Sequence, residues 1–429
     1  MKWVVLAFLA ALVWPVSVRL RSHPEERLKI LVLAGFLPFI LRNAHLFWAI
    51  ISWDWVGYVK GLEVSLLDFI ALAVYISLPS PRGRLPFLVS MILYFLATVL
   101  SAAQARLPIT ALFYSWQLAR MFLLYATVYR GVCADQRIAS AILKGMAAGL
   151  LMEAGLTIWQ RFVLGVLQTP GTFPAQNGLG LASHFVIYPF FALLLAGRGG
   201  WLSPAVVTAG LVAQVLTTSR GTVLLGAVGL ATVFSLSALR RWTSRKGLVL
   251  LAGVAAIAVF GPLAASSFEQ RFEGGPMSLQ EDSERVAYKK AADMMLSEHP
   301  LGIGANNFTF VANVEGYFSR AGEASYLSGL SGNVHNVYWL VASETGYLGL
   351  VTFVILLLRP LAVAFFCGLR HLGDPRADLL VGLGVALLIE YLHCSEEWAF
   401  VNFETQYLYA IDVGLVAGLA ATLGYWRRQ

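Results

Sequence analysis

Apolar runs long enough to cross a lipid bilayer recur along almost the whole chain, from Trp3 to Tyr425. A hydrocarbon core about 30 Å thick takes roughly 20 apolar helical residues to cross. In lipid every backbone N–H and C=O needs a partner within the protein, which leaves helices or closed barrels. Continuous apolar runs of this length select helices. Composition agrees: 58% of the 429 residues are hydrophobic and 13% are charged, whereas soluble domains carry about 25% charged residues. A soluble fold would need many fully buried helices with almost no polar shell, and is excluded. The candidate spans are 3–18, 30–50, 64–79, 85–103, 110–128, 139–166, 181–197, 202–218, 222–239, 247–265, 336–358, 378–393 and 407–425. They predict an all-α polytopic membrane protein with about 12–13 transmembrane helices.

Alternating these spans, with the C-terminus in the cytoplasm, puts most of the 31 lysines and arginines in cytoplasmic loops, among them Arg240, Arg241, Arg245 and Lys246. That is the positive-inside pattern. It accounts for the net charge of +7 without a nucleic-acid partner. Of the three cysteines, Cys133, Cys367 and Cys394, only Cys394 falls near the outer face, so no disulfide framework is expected. No CxxC, HExxH or carboxylate group with metal-ligand spacing occurs, and neither a metal nor another cofactor is expected.

One connection breaks the alternation. Between membrane segments 1–265 and 335–429, residues 266–334 are polar, too long for a turn, and periplasmic in this topology. A helix-like stretch, Asp282–Ser297, is stopped by Pro300 and followed by Leu301-Gly302-Ile303-Gly304. Long connections in compact architectures are functional or disordered. Phe308, Phe310, Tyr317 and Tyr326 are too aromatic for a linker, so the segment is expected to fold onto the membrane helices.

The residues that could carry chemistry gather at that outer edge. Arg220, in Thr218-Ser219-Arg220-Gly221, reads either as a snorkelling anchor or as a bidentate phosphate clamp. Arg285 and Lys289 lie one turn apart on one helix face with Asp293 beyond them, so a solvated charge ladder competes with anion binding. Gly302 and Gly304 resemble half of a phosphate-cradling loop, although turns use glycine for geometry alone. His335 reads as an interfacial anchor or as a base able to accept a hydroxyl proton near neutral pH. Glu344 is nine residues further on, half a turn round, and reads as a buried packing or hydrogen-bonding residue. Arg120 and Glu153, on consecutive spans, are expected to neutralise each other. Trp53, Trp55, Trp398, Phe400 and Phe403 are expected to form an interfacial aromatic belt.

Four short stretches, in this order and spacing, resemble the O-antigen ligase and O-antigen polymerase superfamily of integral-membrane glycosyltransferases. They are Gly171-Thr172-Phe173 with Asn177-Gly178-Leu179-Gly180; Ser219-Arg220-Gly221; Arg285 with His299-Pro300-Leu301-Gly302-Ile303-Gly304; and His335-Asn336-Val337-Tyr338 with Glu344-Thr345-Gly346-Tyr347-Leu348-Gly349. The resemblance implies transfer of a glycan from an undecaprenyl-diphosphate carrier to an acceptor hydroxyl at the periplasmic face of a bacterial inner membrane. Arg220 and Arg285 match the family's diphosphate-holding arginines, with Lys289 beside Arg285. His335 matches the histidine proposed to activate the acceptor, and Asn177, Asn336, Glu344, Gly302 and Gly304 are expected to support the site. Fixed cations can stabilise the departing diphosphate and a base can take the acceptor's proton, so an inverting, metal-independent transfer is expected. A ligase acting on lipid A-core is the leading reading. A polymerase extending another lipid-linked glycan and a protein O-glycosylating ligase are its rivals. A flippase or transporter is the alternative from another class; transporters place their polar sites near the midplane, whereas these residues lie at the outer edge.

Overall fold

Sixteen α-helices and one β-hairpin make up the residues that the computed structural model describes, 2–79, 84–272, 277–322 and 332–428. Tyr326 lies outside them. The first half holds α1 (Lys2–Ser22), α2 (Pro24–Phe36), β1 (Phe47–Ser52), β2 (Gly61–Ser65), α3 (Leu66–Ser77), α4 (Leu88–Ser101), α5 (Pro108–Ala134), α6 (Arg137–Phe162) and α7 (Gln176–Leu195). The second holds α8 (Leu202–Leu216), α9 (Arg220–Arg240), α10 (Ser244–Phe272), α11 (Met277–Glu298), α12 (Phe308–Val314), α13 (Tyr317–Ala321), α14 (Val337–Arg370), α15 (Pro375–His393) and α16 (Phe403–Thr422). By length and composition α1, α6, α7, α9 and α14 can each cross a membrane, and α3, α4 and α8 are shorter apolar helices. In α7, 89% of the apolar window is buried, against 17% in α1. Helix α7 therefore runs through the centre of the bundle, and α1 presents its side chains outward.

Two expected spans are corrected. Residues 30–50 do not form one helix: α2 ends at Phe36, a 3-10 turn covers Leu37–Phe39, and Phe47–Ser52 is a strand. Pro38 and the positive φ of His45 (51°) break the run, and β1 pairs antiparallel with β2 from Phe47 opposite Ser65 to Ser52 opposite Gly61. Aromatic and branched residues favour a pleated surface, so apolarity alone mistook a strand for part of a span. The second correction is in α14. Gly346 has φ 67° and ψ −172°, which breaks the helix, and Tyr338 and Phe353 bring their rings to 6.2 Å. Fifteen residues of straight helix would separate them by about 22 Å. Residues 337–345 are thus a short arm folded against the longer helix that follows. A Cβ at Gly346 would collide with the Pro300 carbonyl, so both space and dihedral demand glycine there.

Hydrogen bonds and ion pairs sort the loops onto two ends of the bundle. At one end Trp55 donates to the Asn306 carbonyl (2.8 Å), Asn306 bonds both backbone groups of Val59, and the Ala305 amide donates to Ser101 (3.0 Å). Lys2 donates to the Ala49 carbonyl (3.1 Å), which puts the N-terminus at this end with the hairpin. At the other end Arg137 meets Glu25 (2.7 Å), Arg240 meets Asp378 (2.8 Å) and Arg376 meets Asp374 (2.6 Å).

Within the bundle the expected Arg120–Glu153 pair is not formed. Arg120 instead pairs with Asp68 (2.8 Å) and donates to the Tyr407 hydroxyl, which donates to the other oxygen of Asp68 (2.6 Å). Glu153 accepts from the amide and hydroxyl of Thr172 (3.0 and 2.5 Å). Consecutive helices need not be the closest neighbours, and here α5 packs against α3 and α16 with its arginine on that side. Both members of the Arg120–Asp68 pair are buried, with side chains 5% and 10% exposed. Arg120→Met should therefore leave a buried carboxylate uncompensated and cost about 3–5 kcal/mol, read as a lower melting temperature in detergent. An unchanged melting temperature would show that the pair is not holding α3, α5 and α16 together.

The aromatic belt is corrected as well. Trp53 is 53% exposed, but Trp55, Phe400 and Phe403 are buried, and the Trp398 ring stands edge-on to His335 with centroids 6.2 Å apart.

Candidate active site

The short loop between α15 and α16 is where the candidate residues meet. It carries Glu397, whose side chain is 8% exposed. Glu397 Oε2 lies 3.2 Å from His335 Nδ1, and Oε1 accepts from Arg285 Nη2 (3.3 Å) and Asn177 Nδ2 (2.5 Å). One carboxylate thus gathers the start of α7, the middle of α11 and the residue two before α14. Arg285 also reaches the Glu396 carbonyl (3.4 Å). The charge-ladder alternative for Arg285 gives way to this pair with a residue 112 positions away.

Local sequence places each partner. Asn336 accepts from the Trp339 amide (3.0 Å), capping α14, and donates to the Ser395 carbonyl (2.8 Å). The Val337 amide donates to the Cys394 carbonyl (2.9 Å). His335 is therefore held beside the loop by both of its successors. Arg285 is held by the anchoring of α11 at its other end. There Arg320 donates to Glu298 (2.8 and 3.3 Å) and holds its carboxyl below the usual carboxylate range. Tyr317, buried and donating to the same carboxylate (2.7 Å), is pushed up to about 12.

Arg220 is the first residue of α9 and is exposed. Ser219 caps the helix by accepting from the Thr222 amide (3.5 Å), and Gly221 faces His393, the last residue of α15, just before the Glu397 loop. Arg220, Arg285, His335 and Asn177 thereby border one region, and the helix end adds partial positive charge there.

The remaining candidates stand elsewhere. Lys289 lies over the Trp339 ring, 5.9 Å from its centroid, one turn away from the Glu397 contacts. Glu344 accepts from the Tyr58 hydroxyl (2.5 Å) and from the amides of Asn306 (2.8 Å) and Phe308 (2.9 Å), and so joins the hairpin, the 300–307 turn and α14. Of its two readings, packing or hydrogen bonding, the second describes it. Gly302, at φ 87°, packs on the Glu344 carbonyl. The amides of Ile303 and Gly304 donate to the Ser343 and Glu344 carbonyls (3.0 and 2.8 Å). These are carbonyls freed by the break at Gly346, so the glycine turn caps a helix end and its amides are taken.

Sequence reading missed Glu397. The signal was present: two adjacent carboxylates, Glu396 and Glu397, in a short polar break between two apolar spans. Among the described residues, no group of three or more His, Cys, Asp or Glu could hold a metal ion.

Compared with known families, residues 204–354 match the model of the O-antigen ligase family. This segment is an O-antigen ligase domain. The domain is that of an enzyme of ligase- or polymerase-type glycan transfer, and the family implies lipid-linked glycan substrates. The ligase domain runs from α8 into α14 and carries Arg220, Arg285, Lys289, Gly302, Gly304, His335, Asn336 and Glu344. Asn177 and Glu397 come from outside the matched segment. No curated protein matches the chain.

Proposed function

We propose that the chain transfers a glycan from an undecaprenyl-diphosphate carrier to an acceptor hydroxyl, and that lipid A-core is the acceptor. The observation that carries the reading is the meeting of His335 and Arg285 on Glu397. A base and a phosphate-binding cation are held within one carboxylate of each other, with Arg220 at the adjacent helix start.

In this mechanism Arg220 and Arg285 hold the diphosphate through paired N–H groups. Glu397 accepts the Nδ1 hydrogen of His335, so that Nε2 keeps its lone pair for the acceptor. The acceptor oxygen attacks the anomeric carbon as His335 Nε2 takes its proton. The bond from that carbon to the diphosphate oxygen breaks, and its electron pair leaves with the carrier, where the arginines stabilise it. A single displacement inverts the anomeric centre. Glu397 is a positioning residue here. The site faces the periplasm in this reading, because Arg240, Arg376 and the other basic loops lie at the opposite end of the bundle and basic loops stay in the cytoplasm.

The test is reconstitution. Purified protein is given an undecaprenyl-diphosphate-linked polysaccharide and lipopolysaccharide lacking its outer chain, in EDTA. Transfer to the lipid A-core is expected. Longer lipid-linked chains instead would make the enzyme a polymerase, and loss in EDTA restored by magnesium or manganese would reject the arginine account of leaving-group stabilisation.

A further inference from the structure

Directly beneath the candidate site, buried polar side chains link α7, α8, α9 and α15, and the Gln214 amide, which can only donate through its nitrogen, points to where each proton sits. Gln214 on α8 donates one amide hydrogen to Ser183 Oγ (2.8 Å), whose own hydrogen goes to the Gly180 carbonyl (2.6 Å). The second amide hydrogen faces His184 Nδ1 (3.2 Å). The Tyr188 hydroxyl, with one hydrogen to give, stands 2.9 Å from the same nitrogen and 3.2 Å from the Leu225 carbonyl of α9.

A ring nitrogen that receives an N–H carries no hydrogen of its own, so the His184 hydrogen is on Nε2. That Nε2 lies 3.2 Å from His393 Nδ1, which must then be the acceptor. His393 is therefore the tautomer with its hydrogen on Nε2. A second proton on either ring would set two N–H groups against each other, so both rings are neutral. His393 Nε2 faces the start of α9: a Cβ on Gly221 would stand 3.2 Å from it. Arg285 and Glu397 also lie within electrostatic reach of His393.

We propose that His393 is a further binding residue for the donor diphosphate, presenting its Nε2–H to a phosphate oxygen beside Arg220. Gln214 and His184 are positioning residues that hold it in that tautomer. The inference rests on the diphosphate reading above and adds a residue outside the ligase domain. A neutral donor contributes a directional hydrogen bond to the anion without a further full charge that would retain the diphosphate after transfer. His393 is itself buried, and with glycine at position 221 no Cβ stands against its Nε2 on that side.

The experiment uses undecaprenyl diphosphate as the probe, titrated into the purified full chain in detergent, with nitrogen NMR of histidine-labelled protein. Nε2–H tautomers are expected at His184 and His393, and the probe should shift the His393 signal. His393→Phe should weaken binding about 10–100-fold, the range for a hydrogen bond to a charged group. His393→Gln, whose amide N–H can replace Nε2–H, should recover most of that loss. Gln214→Glu, remote from the ligand, sets an acceptor against His184 Nδ1, reverses both tautomers and should weaken binding comparably. Unchanged binding in His393→Phe and Gln214→Glu, with Arg220→Lys and Arg285→Lys still weakened, overturns the histidine and leaves the diphosphate site standing. Unchanged binding in the arginine variants overturns that site itself. Should His393→Phe not fold, an Nδ1–H on His393 in the unmodified chain overturns the proposal.

Discussion

His335→Ala should leave expression and the melting temperature in detergent nearly unchanged while glycan transfer falls by about 10²–10⁴, the usual consequence of removing a general base. The stability half of this expectation follows from the packing. His335 precedes α14 rather than lying within it, and Asn336 supplies the cap, so the arm at 337–345 keeps its hydrogen bonds without the imidazole. The activity half follows from the proposed mechanism, in which the bond from Glu397 to Nδ1 aims Nε2 at the acceptor. Donor binding should change little, because the acceptor and not the carrier meets the base. Near-normal transfer by folded His335→Ala would remove the histidine from the chemistry and leave the reading to stand on the arginines. A lower melting temperature with ordinary activity per folded molecule would make it an anchor.

Arg285→Lys and Arg220→Lys should damage both donor binding and turnover, because the diphosphate carries charge before and during bond breaking. Turnover should fall by about 10²–10³, as on loss of one preorganised donor at a developing charge. The positive charge survives in both variants. What is lost is the planar fork. At position 285 that fork spans the Glu396 carbonyl and Glu397 together, which a single ammonium cannot do while also meeting a phosphate. Measuring kcat and KM for the lipid-linked donor, with the melting temperature alongside, separates the outcomes. A variant with ordinary kinetics and reduced stability would show that the arginine serves the fold alone.

The same residues show how far a linear reading reaches. Arg220, Arg285 and His335 were legible because each breaks a local rule: a cation or imidazole at the rim of an apolar span costs energy, and their spacing repeats a family pattern. Glu397 left one mark, a pair of adjacent carboxylates in a short polar break, and His184 and His393 lie inside or at the end of apolar helices. Their roles depend on partners 62 to 220 residues away. Gly302 and Gly304 failed in the opposite direction. Their pattern suggested an anion cradle, but the amides beside them are consumed by carbonyls that became available only because α14 breaks at Gly346.

By itself the sequence determined that the chain is a helical membrane protein, because the cost of exposing backbone polar groups to lipid leaves an apolar run of this length little other choice. It also marked 266–334 as a long polar stretch between apolar runs. Only the tertiary structure decided that Phe47–Ser52 is a strand, that Arg120 answers Asp68 and not Glu153, and that one carboxylate draws α7, α11 and α14 to a common point. Hydrophobicity and helix period are properties of a segment and survive in one dimension. Which charge meets which is set by the faces that packed helices turn toward one another, and that information does not exist until the helices pack.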